Sequence, residues 1–243
     1  MISIIIATFN AGKYIHDCLT SIIEQTADLE VIVIDGGSAD DTVAILKSFE
    51  RRLRLQWVSE RDAGIYDAMN KGVQRATGSW IYFLGADDRL LPGFSELAAL
   101  LKDEHTVYYG NNLPYYGNQE PNRLWLNGKI GRYALAKRGI NHQSIIYPAK
   151  IFEKYRYELR YRVYADYALN IRVWGDRAFK KKHFPITIVR YDMTGFSSIP
   201  DDRAFKQDRL KIIRESMGWG MYLRMLYKRC KEKLQGEGGY WDA

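Results

Sequence analysis

The sequence predicts an α/β fold built on a mostly parallel, doubly wound sheet flanked by helices, and three observations carry that prediction. Short β-branched runs alternate with helical patterns through the first hundred residues. The first, second and fourth of these runs are apolar on both faces, as central strands must be when helices cover both sides of a sheet. With 243 residues, 47% of them hydrophobic, the chain can bury a full core, and its length fits one large domain or one domain carrying an appendage.

The first strand is expected over residues 2–7. Its apolar run lacks a basic flank, is too short for a signal-peptide core and leads into Thr8-Phe9-Asn10 with no small-residue cleavage pattern. A helix follows over residues 12–25, then a strand over 30–35, a helix over 40–50, a strand over 54–58, a helix over 65–76 and a strand over 80–84. The helical segments repeat apolar positions at three- and four-residue spacing, with Gly12, Asp40 and Gly64 near their starts. Asp40 or Ser38 is expected to cap the second helix. From about residue 105 the pattern is less regular: residues 106–116, 144–147 and 182–191 read as strands, and 148–155 and 166–174 as helices.

Composition narrows the function classes. Cys18 and Cys230 stand alone, which argues against a disulfide framework and for a reducing, cytoplasmic compartment. No apolar stretch approaches the roughly 18 residues of a membrane span, so any membrane contact is peripheral. The net charge of +7 is concentrated in residues 206–233, where nine Lys and Arg face three Asp and Glu. One basic segment without a recognisable DNA- or RNA-binding motif argues against a protein coated with nucleic acid and for a local basic element facing something anionic. No G-x-G-x-x-G follows the first strand and no P-loop lysine pattern occurs, which removes the common dinucleotide and nucleoside-triphosphate folds. His16, His105 and His183 are dispersed without paired spacing, so a zinc site is not indicated.

In doubly wound sheets ligands collect at the carboxyl ends of the strands. Here those ends read Thr8-Phe9-Asn10, Asp35-Gly36-Gly37-Ser38, Ser59-Glu60-Arg61-Asp62 and Gly85-Ala86-Asp87-Asp88. Carboxylates grouped on one rim repel each other and call for a compensating cation. Asp87 and Asp88 offer hard oxygen ligands with which Mg²⁺ or Mn²⁺ could bridge to a diphosphate, although the dipeptide alone also suits a turn. The Asp35 carboxylate can accept from a nucleobase N–H while its glycines allow close approach, and the same residues also suit a tight turn.

The opening S-I-I-I-A-T-F-N, the segment V-I-V-I-D-G-G-S-A-D-D-T and the stretch S-E-R-D-A-G-I-Y-D-A-M-N-K-G-V-Q-R-A-T-G-S-W-I-Y-F-L-G-A-D-D occur in fixed order. Together they resemble the inverting family 2 glycosyltransferases of the GT-A fold, of the kind that assembles bacterial surface polysaccharides. The resemblance is strong over residues 1–100 and looser over 140–175. It implies a catalytic domain over 1–200, divided into a nucleotide-sugar-binding half (1–104) and an acceptor half (105–200), with a basic amphipathic helical tail over 201–243.

By the same resemblance Thr8, Asn10 and Asp35 would hold the nucleotide, with Asp62, Asp67 and Asn70 beside it, although Asp67 equally suits a surface acid near a helix N-terminus, and Asp87 and Asp88 would face the diphosphate and a divalent metal. The family often carries an acid or asparagine just before the final pair, where Gly85-Ala86 stands here. In Y-A-D-Y-A-L-N-I-R, Asp166 resembles the base that deprotonates an acceptor hydroxyl, and an ordinary helix N-cap is the alternative reading. His142, in N-H-Q-S, falls where the resemblance suggests an acceptor- or phosphate-facing loop, and it could equally be structural. The donor would be a nucleotide sugar, a UDP-sugar by resemblance, and the acceptor a glycan or a polyprenyl-diphosphate-linked hydroxyl. A single displacement needs no covalent nucleophile, and no Ser/His/Asp or Cys/His pattern is present.

In the tail, Trp219, Tyr222, Leu223, Leu226, Tyr227, Cys230 and Leu234 fall on one helical face, with Arg224, Lys228, Lys231 and Lys233 over much of the remainder. Peripheral contact with an anionic membrane at the inner face of the cytoplasmic membrane is the expectation, and packing against the catalytic domain the alternative. A glycosyltransferase-like scaffold without catalysis and a nucleic-acid-binding protein are the competing functional readings.

Overall fold

Strand β1 (Ile2–Thr8) organises the molecule, a computed structural model that describes residues 1–115, 128–193 and 202–234. It pairs in parallel with β2 (Leu29–Asp35) on one side and β4 (Trp80–Phe83) on the other, and β3 (Leu55–Ser59) extends the sheet beyond β2. Helices α1 (Ile15–Ile23), α2 (Thr42–Phe49) and α3 (Ile65–Arg75) supply the crossovers. The predicted order of the first half is therefore the observed one.

After β4 the chain makes a two-residue strand, β5 (Arg89–Leu90), and helix α4 (Gly93–Ala98). The rest of the sheet comes from β6 (Thr106–Tyr115), β7 (Ile145–Pro148) and β8 (Lys180–Asp192), in the order β3-β2-β1-β4-β7-β6-β8-β5. β7 runs antiparallel to β4 through the pairs Trp80–Pro148 and Ile81–Tyr147, while β6 and β8 are parallel. Helices α5 (Arg132–Arg138), α6 (Lys150–Lys154) and α7 (Ala165–Gly175) complete this half.

The alternation of β1 divides the core. Ile5 joins Phe83, Tyr109, Tyr147 and Trp174 on one face, and Ile4 and Ile6 join Leu46, Tyr82 and Phe94 on the other. The expected cap of α2 differs in detail: Asp41 is the N-cap residue and makes no side-chain bond, while the preceding Asp40 accepts from Thr42 N at 3.1 Å and from Gly12 N at 2.9 Å. Asp40 thus ties the first two strand-end loops together rather than closing the helix alone.

The tail is two helices, α8 (Arg203–Met217) and α9 (Trp219–Leu234), broken at Gly218; residues 201 and 235–243 of the predicted tail lie outside the described residues. α8 buries Phe205, Arg209, Ile212, Ile213 and Met217, and the Arg209 guanidinium donates to Ala136 O, Lys137 O and the Tyr167 hydroxyl. α9 turns Met225 inward and stacks Arg224 over Tyr133. Trp219, Leu223, Tyr227 and Leu234 lie along its outer face, 58–88% exposed. Of the face assigned from the sequence, Trp219, Leu223, Tyr227, Cys230 and Leu234 look away from the domain, while Tyr222 and Leu226 are half-buried.

Candidate active site

Helix α7 begins one residue before Asp166, so this acid sits inside the first turn, and the N-cap position belongs to Tyr164, which makes no side-chain cap bond. The carboxylate is directed at side chains instead. His142 Nδ1–H donates to its Oδ2 at 3.0 Å, the Tyr167 amide donates to Oδ1 at 2.7 Å, and the Tyr66 hydroxyl lies 3.2 Å from Oδ1. The His142 ring and the Tyr167 amide are the firm donors, because the single Tyr66 proton is drawn more closely to Val163 O at 2.5 Å. Asp166 and His142 remain 19% and 15% exposed, which keeps the pair reachable. Tyr66 is buried, and that burial, reinforced by the negative charge of Asp166, holds its hydroxyl protonated far above the usual phenol range.

His142 belongs to a single 3-10 turn, His142–Ser144, started by Asn141, whose side chain accepts from Gln143 N at 2.9 Å. The carbonyl of Gln143 accepts from the Tyr82 hydroxyl of β4 at 2.7 Å. One short turn from the second half of the chain therefore touches both the Asp166 cluster and the strand that delivers Asp87 and Asp88.

Those two acids fold back over Gly85. A methyl group there would meet Asp87 Oδ1 at 2.8 Å and run into Asp88 Oδ2, so the glycine that departs from the family pattern leaves the space the carboxylates occupy. Asp88 is 1% exposed. Its Oδ1 accepts from Asp192 N at 2.6 Å, and its buried Oδ2 has no hydrogen-bond partner. Burial, with the neighbouring charge of Asp87, pushes the Asp88 carboxyl up to about 8, and burial followed by the charge of Asp192 raises Asp87. An orphaned buried oxygen beside a second carboxylate is an arrangement that a divalent cation would relieve. Among the described residues no third His, Cys, Asp or Glu groups with this pair to form a closed cage. The two acids could supply at most part of a divalent ion's ligand set.

At the opposite side of the rim, Asp35 is fully buried at the end of β2 and accepts from Gly37 N, Ser38 N and Ser59 Oγ, the last at 2.6 Å. Asn10, with φ 50°, accepts from Ala39 N, and its own amide donates to Ser38 Oγ, which joins the loops after β1 and β2. Thr8 is buried with its hydroxyl unpartnered. Gly36 is bounded by Asp62 and Phe9: a methyl on it would meet Asp62 Oδ2 at 2.8 Å and the Phe9 ring at 3.4 Å. Phe9, 64% exposed, is an aromatic face that the sequence reading passed over.

Two expected donor residues are turned to other tasks. Both ends of the Asn70 amide are spent on Tyr157, donating to its carbonyl at 2.9 Å and accepting from its amide at 3.1 Å. Asn70 thereby joins α3 to the loop before α7. Asp67 accepts from Ala63 N and pairs with Lys71 at 3.3 Å, bracing the start of α3. The sequence reading also missed Tyr66 and Gln143, whose roles depend on contacts across about a hundred and about sixty residues.

The parallel strand-end rim, joined through one turn to the His142–Asp166 pair, stands on a sheet of the kind seen in GT-A glycosyltransferases. The sequence model of Glycosyl transferase family 2 matches residues 3–184, and the chain belongs to that family. It is 36% identical over 214 residues to a PGL/p-HBAD biosynthesis glycosyltransferase of Mycobacterium tuberculosis (strain ATCC 25177 / H37Ra), covering 84% of this chain and 82% of that one. It is 39% identical over 99 residues to the chondroitin synthase of Escherichia coli, covering 40% of this chain and 14% of that one. Among solved structures it resembles S. aureus TarS 1-349 with a TM-score of 0.70 at 18% identity, over 88% of this chain and 66% of that chain. The chain spans 42% of a longer TarS structure. No helix among the described residues is long and apolar enough to cross a membrane.

Proposed function

We propose that the protein transfers a glycosyl unit from a UDP-sugar to the hydroxyl of a lipid-linked acceptor, with inversion at the anomeric carbon. The observation that carries this reading is the contact of His142 with Asp166, because it orients a partly exposed carboxylate as a proton acceptor needs. Supporting the donor class, S. aureus TarS 1-349 has been solved with UDP-GlcNAc, and this chain shares its fold at a TM-score of 0.65 and 18% identity. Supporting the acceptor class, the mycobacterial relative is named for PGL/p-HBAD biosynthesis.

In this mechanism Thr8, Asn10, Asp35 and Asp62 frame the nucleoside, with Phe9 as a stacking surface. Asp87 and Asp88 would hold Mn²⁺ or Mg²⁺, which when bound supplies positive charge to the diphosphate leaving group. The acceptor oxygen bonds to the anomeric carbon as the bond from that carbon to the diphosphate oxygen breaks, the electron pair leaving with UDP. Asp166 takes the acceptor proton, and His142 and Tyr66 keep its two oxygens aimed.

The outer face of α9 is the proposed contact with an anionic membrane at the cytoplasmic side. Trp219, Leu223, Tyr227, Cys230 and Leu234 recur at four- and three-residue spacing, Arg224 and Lys231 flank one side of that stripe, and Arg229 flanks the other. Cations beside an exposed aromatic stripe complement an anionic lipid surface. The test is UDP or GDP release from a panel of UDP- and GDP-sugars, with polyprenyl-diphosphate-linked acceptors and with Mn²⁺, Mg²⁺ or EDTA. Metal-dependent turnover of a UDP-sugar supports the reading. Turnover confined to GDP-sugars, or activity undiminished in EDTA, overturns the donor or the metal assignment.

A further inference from the structure

Asp202 stands at the head of α8, outside every motif that marks the site, yet it is only 4% exposed. Its Oδ1 accepts from Phe205 N at 3.1 Å, which caps the helix. Its Oδ2 does something a cap does not require: it accepts from Val163 N at 2.9 Å and from Tyr164 N at 3.1 Å, 39 and 38 residues away. The peptide unit between Val163 and Tyr164 is thus held from its amide side by Asp202. From its carbonyl side it is held by Tyr66, whose hydroxyl donates to Val163 O at 2.5 Å. That same hydroxyl lies 3.2 Å from Asp166 Oδ1, so its single proton is shared between a carbonyl and the base, and the shorter contact favours the carbonyl.

We infer that Asp202 is a positioning residue for the base: by fixing the 163–164 peptide it fixes Val163 O, and so sets how strongly Tyr66 engages Asp166. The inference rests on the reading of Asp166 as the base. It makes α8 a working part of the site rather than a passenger behind it. Release of the brace would let the turn before α7 drift and would free the Tyr66 proton to bind Asp166, and either change weakens the carboxylate as a proton acceptor.

Asp202→Asn weakens the brace in either amide orientation: the side chain loses the charge that strengthens its hydrogen bonds, and its NH₂ group faces either the two loop N–H donors or Phe205 N with nothing to accept from them. Asp208→Asn is the control on the same helix, where the native carboxylate holds Tyr161 and Arg160. Two readouts are taken: kcat and KM for UDP release from the fastest UDP-sugar, and the low-field imidazole N–H proton resonance of His142 in the ligand-free protein.

The expected result is a kcat lowered about 10- to 100-fold by Asp202→Asn, at unchanged KM and UDP affinity, with the His142 resonance shifted or lost and Asp208→Asn like wild type. Wild-type kcat and an unmoved resonance in Asp202→Asn, whatever its melting temperature, overturn the inference. Asp166→Asn reports separately: wild-type turnover in that variant sinks the assignment of the base itself. Loss in Asp166→Asn with none in Asp202→Asn sinks only the brace. The resonance decides the matter even where no donor in the panel turns over.

Discussion

His142 Nδ1 and Asp166 Oδ2 meet at 3.0 Å across 24 residues of chain, and each belongs to a different element of the second half of the chain. Removing the carboxylate's charge while keeping its shape isolates what that contact is for. Asp166→Asn is expected to lower kcat for sugar transfer by about 10²- to 10⁴-fold, the range of general base catalysis. UDP affinity measured by calorimetry should stay at the wild-type value. His142→Ala should give a smaller loss in the same direction, because it removes orientation and not the base. A loss of UDP binding in parallel with kcat would instead place Asp166 in donor binding.

Gly85 is occupied, in effect, by the carboxylates of its neighbours. Gly85→Ala is expected to push Asp88 off its position beneath the rim and to weaken Mn²⁺ binding about 10- to 100-fold, as loss of a supporting contact around a metal commonly does. Titration of the Mn²⁺ electron paramagnetic resonance signal measures this directly. Unaltered Mn²⁺ affinity in a folded Gly85→Ala protein would remove the acids from the cation's ligand set.

The Asp88 carboxyl, raised to about 8 by burial and by Asp87, ties stability to pH. Because its folded value stands above the ordinary carboxylate range, the native state binds a proton there that the unfolded chain has lost. Metal-free protein is therefore expected to lose stability as pH rises from about 4 towards 8, the stabilising proton being fully present only at the acid end. Melting curves should show a wild-type Tm that falls over this range and a flatter profile for Asp88→Asn. Mn²⁺ should raise Tm more at pH 8 than at pH 6, since it competes with that proton. An equal Mn²⁺ effect at both values would separate the ion from Asp88.

The exposed stripe of α9 can be altered without touching the site. Replacing Trp219, Leu223 and Tyr227 together by Glu is expected to abolish cosedimentation with vesicles of phosphatidylcholine and phosphatidylglycerol. UDP release in the absence of lipid should be unchanged. Wild-type binding should fall as ionic strength rises, because Arg224, Arg229 and Lys231 supply part of the attraction. Equal binding to vesicles of phosphatidylcholine alone would show that anionic charge is not what the helix recognises.

The first half of the fold was legible because its signals are local. Each strand is a short apolar or β-branched run, so the strand ends at Thr8, Asp35 and before Asp87-Asp88 are placed within a few residues of sequence. The helix that carries Asp166 was read from its pattern, and the structure adds that Asp166 stands inside the helix and not at the cap. What escaped depends on distance along the chain. Nothing local in Tyr66 tells that its hydroxyl reaches Val163 and Asp166, and nothing local in Asn70 tells that its amide is consumed by the Tyr157 backbone. The two residues of β5 are too few to show a period.

The seam between β4 and β7, two register pairs long, also bears on the order in which the molecule comes together. The parallel unit of β1 to β4 can form from crossovers closed within the first 83 residues, whereas the turn carrying His142 reaches β4 only by closing a loop of about sixty residues. On a growing chain the nucleotide rim would therefore form first. Proton-accepting chemistry would arrive only when the later strands dock, so a half-made enzyme could hold a donor and be unable to spend it.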